Sequence, residues 1–381
     1  MREVTVRDLE DLAIGAAILG TGGGGDPFIG KLMAQQAIEE EGPVTLIDAG
    51  ELDDEALVIP TAGMGAPTVV IEKIPEGLEA VRALRAAERR LGRKADATSP
   101  IECGGGNSQI PFVVAARTRL PVVDGDGMGR AFPELQMETF HIYGVPGTPA
   151  VLSDERRTLV TIETQDNFML EWIARGVTIR MGGHALLAEY PMSGADFKRT
   201  AVRGTISMGM AIGKAVASAR SVGIHPVDAV CAATRDTIYG AGLRLFEGKV
   251  VDVERRTREG FAVGHVVLQG LGGCQGSQLL VEFQNENLVA RRDGQVMASV
   301  PDLICILDSE TATAITTERL RYGQRATVIG IPTPEIMRSE AALSVWGPKA
   351  FDYDIAFVPL ESRFLEYYRE QGVPRDKGKY L

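Results

Sequence analysis

Two aspartates separated by one glycine, Asp124 and Asp126, head the run Asp124-Gly125-Asp126-Gly127-Met128-Gly129-Arg130-Ala131-Phe132-Pro133-Glu134. Carboxylates this close together on small residues suit a general base that activates water, or ligation of a divalent metal. The competing reading is a solvated turn in which an aspartate caps the next helix. An EF-hand is excluded, because the bidentate glutamate that closes such a loop would fall at Leu135. Arg130 and Glu134 add a cation and a third carboxylate to the same run.

Two further groups of residues carry chemistry. Of the histidines at 141, 184, 225 and 265, none pairs with another at helical spacing, so a metal centre would be assembled from distant segments. His184, after Gly182-Gly183, is the preferred ligand or base, whereas His225 before Pro226 reads as a helix entry. Cys103 stands in Glu102-Cys103-Gly104-Gly105-Gly106-Asn107. A helix N-terminus there would lower its thiol pKa and make it a nucleophile; a small buried cysteine is the alternative, and no partner base is assigned. The backbone of Gly104 and Gly105 and the Asn107 amide lie at the same helix start and are candidates for ligand contact.

A third glycine run, Gly20-Thr21-Gly22-Gly23-Gly24-Gly25-Asp26-Pro27, precedes both. It lacks the Gly-Lys-Ser/Thr of a Walker A loop, and it follows a helix rather than the strand of a dinucleotide fingerprint. A flexible corner is its simplest reading. Glycine runs cost backbone entropy and add no packing, so three of them bounded by apolar segments suggest backbone brought close to a ligand. Together they read as the rim of one site.

The elements that must position these residues follow from periodicity. Val6 to Leu19 repeats apolar residues at helical spacing (Val6, Leu9, Leu12, Ala13, Ala16, Ala17) and stops at Gly20. Phe28 to Glu41 is again helical, so the first glycine run is a corner whose second helix offers free N–H groups to an anion. Strand-like runs at Val44–Ile47, Ala56–Ile59 and Pro121–Asp124 alternate with helical segments at Gly77–Leu91 and Ser108–Ala116. That order predicts an α/β N-terminal domain, residues 1–148, with a mostly parallel sheet and a ligand beyond the carboxyl ends of its strands.

Gly-Val-Pro-Gly-Thr-Pro near Tyr143–Pro149 marks a boundary. Beyond it, residues 149–381 read as an α+β C-terminal domain with a β-rich end. Helical stretches at Asn167–Arg175 and Gly194–Val222 come first. Strand patterns follow from Val250, at Phe261–Leu268, Leu279–Phe283, Leu303–Leu307 and Ala326–Ile331. The last twenty residues are charged but hold Phe364, Leu365, Tyr367 and Tyr368, a tail suited to packing across a partner subunit.

Composition bounds the function classes. The 381 residues are 45% hydrophobic and 24% charged, an ordinary globular balance. A formal net charge of −11 argues against nucleic acid or an anionic membrane surface as partner and leaves small molecules. The four cysteines share no CxxC spacing, and Met1 to Asp8 has no apolar signal core, so a cytoplasmic protein is expected.

The order of these motifs resembles a known family. The glycine corner, Glu102 to Asn107, Asp124 to Gln136, Val300-Pro301-Asp302-Leu303-Ile304, Arg321-Tyr322-Gly323-Gln324 and Gly347-Pro348-Lys349-Ala350-Phe351 are similar to the family once called domain of unknown function 917 (DUF917), now named for S-methyl thiohydantoin desulfurase. The likeness runs from about Asp8 to Pro359. It implies a hydrolase that replaces sulfur by oxygen at the carbon between the two nitrogens of a five-membered (thio)hydantoin-type ring. In that reading Asp124 or Asp126 is the base or a metal ligand, with Glu134 nearby and His184 as acid or ligand. The backbone of Gly22, Gly23, Gly24 and Gly25 and of Cys103, Gly104, Gly105 and Asn107 binds ring oxygen or a substrate carboxylate, with Arg130 as ion partner. A divalent metal, zinc for preference, would sit on Asp124, Asp126 and His184. Members of the family stand beside hydantoinase and oxoprolinase subunits, so the alternative is a non-catalytic accessory subunit of such a complex; a homo-oligomer is expected in either case. A weaker third reading makes Gly20–Gly25 a nucleotide-phosphate cradle.

Overall fold

Apolar residues at three- and four-residue spacing produce a helix at Val6–Leu19, and a second follows the glycine corner at Phe28–Glu41. The computed structural model describes residues 1–66, 69, 72–258 and 261–370. They form two compact units, Met1–Ala16 with Gly24–Met210, and Ala17–Gly23 with Ala211 onward. The Tyr143–Pro149 segment lies inside the first unit and leads directly into a strand.

The first unit holds β1 (Arg2–Val4), β2 (Val44–Asp48), β3 (Leu57–Val58), β4 (Thr61–Gly65), β5 (Val122–Asp126), β6 (Ala150–Ser153), β7 (Leu159–Ile162), β8 (His184–Ala188), β9 (Met192–Ser193) and β10 (Val202–Arg203). One sheet runs β1-β2-β5-β10 and another β4-β8-β6-β7, with β3 paired to β9. Here the expected mostly parallel sheet is corrected to a mixed one. β2 and β5 are parallel, and parallel bridges tie Val58 to Ala97 and Thr98 to Val122. β1 and β10 are antiparallel to their neighbours, and so is every pair of the second sheet. β1 thus meets β2 antiparallel across the two intervening helices, whereas β2 meets β5 parallel.

The helix at Glu79–Leu91 shows how sequence sets this layer. Ala80, Ala83, Leu84 and Ala87 form its buried stripe, Arg89 and Arg90 sit in its last turn, and Gly92 ends it at φ 69°. The expected helical stretch Gly194–Val222 is divided. Helices at Gly194–Thr200 and Thr205–Ala219 flank β10, because Gly204 adopts φ 76° and donates its N–H to the Asp124 carbonyl while Val202 pairs with Asp126.

The second unit is built on β11 (Leu243–Arg258), β12 (Phe261–Gly270), β13 (Gln278–Gln284), β14 (Glu286–Arg292), β15 (Gln295–Ser299), β16 (Leu303–Asp308) and β17 (Arg325–Ile331). They form one antiparallel sheet in the order β15-β14-β13-β12-β11-β17-β16. Strand alternation is plain in β13, where Leu279, Val281 and Phe283 are buried and Leu280, Glu282 and Gln284 are not. Leu360 and Phe364, on the helix Leu360–Glu370, join the core of this sheet, and Tyr367 is buried with the Arg292 guanidinium 5.2 Å from its ring. Phe364 and Tyr367 therefore pack within their own unit, whereas Leu365 is exposed. The Tyr368 side chain and residues 371–381, which the same expectation included, lie outside the described residues. No helix among the described residues is long and apolar enough to cross a membrane.

Candidate functional site

In the first unit the glycine runs meet. A Cβ on Gly24 would lie 3.1 Å from Ala131 Cβ and 3.2 Å from the Gly104 carbonyl, and one on Gly105 would stand 1.9 Å from the Gly24 oxygen. Gly106 donates its N–H to that same oxygen at 2.9 Å. Glycine is thus required by backbone approaching backbone. In the second unit Gly22 and Gly23 are packed differently. Thr317 N–H bonds the Gly22 carbonyl at 2.9 Å, and a Cβ on Gly23 would collide with Glu286 Oε1 at 2.1 Å. A carboxylate at that distance disfavours a phosphate cradle. The anion expected at the next helix is supplied by the chain itself, since Asp26 Oδ1 accepts the Phe28 N–H at 3.0 Å.

Asp126 ends β5 fully buried. Its Oδ2 accepts the Cys103 N–H and, at 3.1 Å, the Gly129 N–H, while Oδ1 has no hydrogen bond of normal geometry among the described residues. Burial pushes its pKa up to about 7 against the opposing pull of those donors. Asp124 has another task. Its Oδ1 accepts the N–H groups of Ile206 at 3.0 Å and Ser207 at 3.1 Å, and Oδ2 accepts the Ser207 hydroxyl. It caps the helix Thr205–Ala219, a helix remote in sequence rather than the next one.

Three carboxylates that the sequence did not single out gather near Asp126: Glu138 interacts with Asp126, with Glu102 and with Glu189. Glu102 is buried, with Oε1 accepting the Asn107 amide at 2.7 Å. Glu138 and Glu189 are fully buried, and none of their four oxygens finds a hydrogen bond among the described residues. Burial holds the Glu138 pKa well above the carboxylate range, reinforced by Glu189, Asp126 and Glu102; burial and Glu171 do the same for Glu189. In both, burial favours the protonated form. The available signal was a glutamate closing the apolar run Ala185-Leu186-Leu187-Ala188-Glu189, directly after β8.

The remaining candidates disperse. Burial, Asp126 and Glu102 raise the Cys103 thiol well above its usual pKa, so of the two readings left open for this residue the structure favours the small buried cysteine. His184 is lowered to about 4 by burial and by Lys73, whose ammonium donates to the His184 carbonyl at 2.6 Å. It is neutral at physiological pH, which removes it as a cationic acid. A Cβ on Gly63 would meet His184 Nε2 at 3.0 Å and Asn107 Oδ1 at 3.5 Å, so the imidazole borders the Asn107 amide. Asn107 in turn grips Gly63 through N–H to Oδ1 at 2.6 Å and Nδ2 to carbonyl at 3.0 Å. Glu134 accepts the Gln136 amide and is raised by burial and by Glu171. Arg130 is buried over the Phe132 ring at 5.0 Å and donates to the Ala131 carbonyl at 3.1 Å. Among the described residues no three His, Cys, Asp or Glu side chains converge to hold a metal ion, so Asp124, Asp126 and His184 are not assembled as one ligand set.

What is assembled can move protons. Asp126, its pKa lifted to about 7, stands beside Glu138, whose protonated form burial favours, with the Cys103 and Gly129 N–H groups on its carboxylate.

Family models agree with the breadth of this arrangement. An S-Me-THD-like N-terminal domain matches residues 7–164 and an S-Me-THD-like C-terminal domain matches residues 165–360. A crystal structure of a protein from Chromobacterium violaceum superposes with a TM-score of 0.78 at 25% identity, covering 94% of this chain and 100% of that one. Among curated proteins none matches.

Proposed function

We propose that this chain, which belongs to the S-Me-THD-like family, is a hydrolase of a small five-membered (thio)hydantoin-type ring, replacing ring sulfur by oxygen at the carbon between the two nitrogens. The supporting observation is Asp126, a fully buried carboxylate with a pKa of about 7 at the junction of two glycine-rich turns. A base poised near the working pH is what activation of water requires. With an S-methyl substrate, water oxygen bonds to the ring carbon as its proton passes to Asp126. The carbon–sulfur bond then breaks, and Glu138 protonates the departing methanethiolate. Transfer of the Asp126 proton to Glu138 resets the pair, so one water is consumed and one thiol released. In this reading the backbone of the Gly104–Asn107 turn binds the ring oxygen, apart from the Gly106 N–H, which Gly24 already takes.

This reading takes Asp126 as the base and routes no step through a metal. The test is thiol release from an S-methyl thiohydantoin by the purified chain, with metal analysis and a chelator arm. Release that survives chelation supports Asp126 as base; release lost on chelation and restored by zinc would reinstate a metal-activated water.

Full burial of Asp126, Glu138 and Glu189 favours a second reading, an accessory subunit of a hydantoinase-type or oxoprolinase-type complex. Turnover that appears only when such a partner is added would select it.

A further inference from the structure

Helix Asn167–Arg180 buries one face and leaves an apolar stripe on the other. Asn167, Leu170, Glu171, Ala174 and Thr178 are buried, whereas Phe168, Met169, Trp172 and Ile179 are 57%, 45%, 75% and 66% exposed. Positions 168, 172, 176 and 179 share one face at helical spacing. Gly176 leaves a notch in it, with nothing within 4 Å of where its Cβ would be. The Phe168 ring is held edge-on by His141, centroids 5.3 Å apart. A patch of this kind on a chain of net charge −11 marks an interaction surface rather than random exposure.

The charges at its ends say what fits. Asp166 caps the helix through the Met169 N–H at 2.8 Å, and Arg180 closes its last turn. Neither has an ion-pair partner among the described residues. An acid at one end and a base at the other make the stripe complementary to itself when reversed, the requirement of an isologous interface. We propose that this face docks a second copy of the same chain, the two helices lying antiparallel about a twofold axis. Phe168 then meets the partner's Ile179, Trp172 covers the partner's Arg175 and the notch at the partner's Gly176, and Asp166 faces the partner's Arg180. Elsewhere the acidic surfaces repel, so the contact is confined to this register. One helix face is smaller than the ~800 Å² per partner of a standard interface, so the dimer is expected to be reversible.

Sedimentation of the full chain across micromolar concentrations tests this. A reversible monomer–dimer equilibrium is expected, with Trp172→Asp weakening it at least ~30-fold and leaving the circular-dichroism melt of the monomer unchanged. Arg180→Glu weakens it less. The double variant Phe168→Cys/Ile179→Cys, on oxidation, forms a covalent dimer that neither single variant gives. A chain that stays monomeric, or a dimer indifferent to Trp172→Asp, overturns the proposal.

Discussion

The Asp126 carboxylate accepts the backbone N–H of Cys103, so the second and third glycine-rich turns are fastened to each other through a buried acid. Gly127 N–H to the Ile101 carbonyl, at 2.9 Å, closes the same junction from the other side. The acid is therefore rigidly held by backbone, and its protonation state answers to burial rather than to a mobile counter-ion.

Asp126→Asn keeps one oxygen for the Cys103 and Gly129 donors but cannot take a proton. Thiol release should fall by at least ~10²-fold with the melting temperature held or raised. In the unsubstituted chain kcat/KM should rise with pH toward a plateau above about 7, the value to which burial lifts Asp126. A pH–rate profile measured on both proteins decides it; an Asn variant with unchanged turnover removes Asp126 from the chemistry.

Asp124 provides the contrast within the same run. Since both its oxygens serve the Thr205–Ala219 helix start, Asp124→Ala should cost about 1–2 kcal/mol of stability, read by urea denaturation. Asp124→Asn retains an acceptor and should keep most of both stability and activity. Loss of turnover in the Asn variant at unchanged stability would return Asp124 to the catalytic set.

These two residues also show how far the sequence could be read. The Asp-Gly-Asp spacing marked the junction, because short residues at a strand end are visible in one dimension. It could not say which aspartate was free, since that depends on Ser207, eighty-three positions away. Glu138 and Glu189 were missed for the same reason: a lone glutamate becomes unusual only once burial removes its water. The helices at Val6–Leu19 and Phe28–Glu41 were legible from local periodicity. The mixed sheet was not, because strand direction is set by long-range pairing: β2 meets β5 parallel, and β10, much further along the chain, meets it antiparallel. The glycine rim was half legible. Crowding identified the turns, but only tertiary packing assigns Gly24 to Gly104 and Ala131, and Gly23 to Glu286.

The buried acids should set the pH dependence of folding. A carboxyl whose folded pKa is raised gives stability that is complete below its unfolded pKa and is lost as pH rises through the folded value. For Asp126 that window runs from near 3.8 to about 7, worth on the order of 4 kcal/mol; Glu138 and Glu189, raised by burial, add loss of the same sign. Glu138→Gln should therefore raise the melting temperature at pH 8, by a few degrees, and leave it nearly unchanged at pH 4. Equal effects at both pH values would mean that Glu138 is not held protonated.

The closest backbone approach in the site gives the last expectation. Gly105 sits at φ 62°, and a methyl there would press within 1.9 Å of the Gly24 oxygen. Gly144 has a similar left-handed φ of 89° but open space around the added carbon. Gly144→Ala should cost only the backbone strain, about 1 kcal/mol. Gly105→Ala carries the same strain and must also separate two backbones that hold the Asp126 junction, so it should cost at least ~3 kcal/mol and abolish thiol release in whatever folds. Urea denaturation of the pair isolates the contact from the conformation. If both variants lose the same stability, the glycine rim is a matter of turn geometry alone, and the approach of Gly24 to Gly105 does not constrain the site.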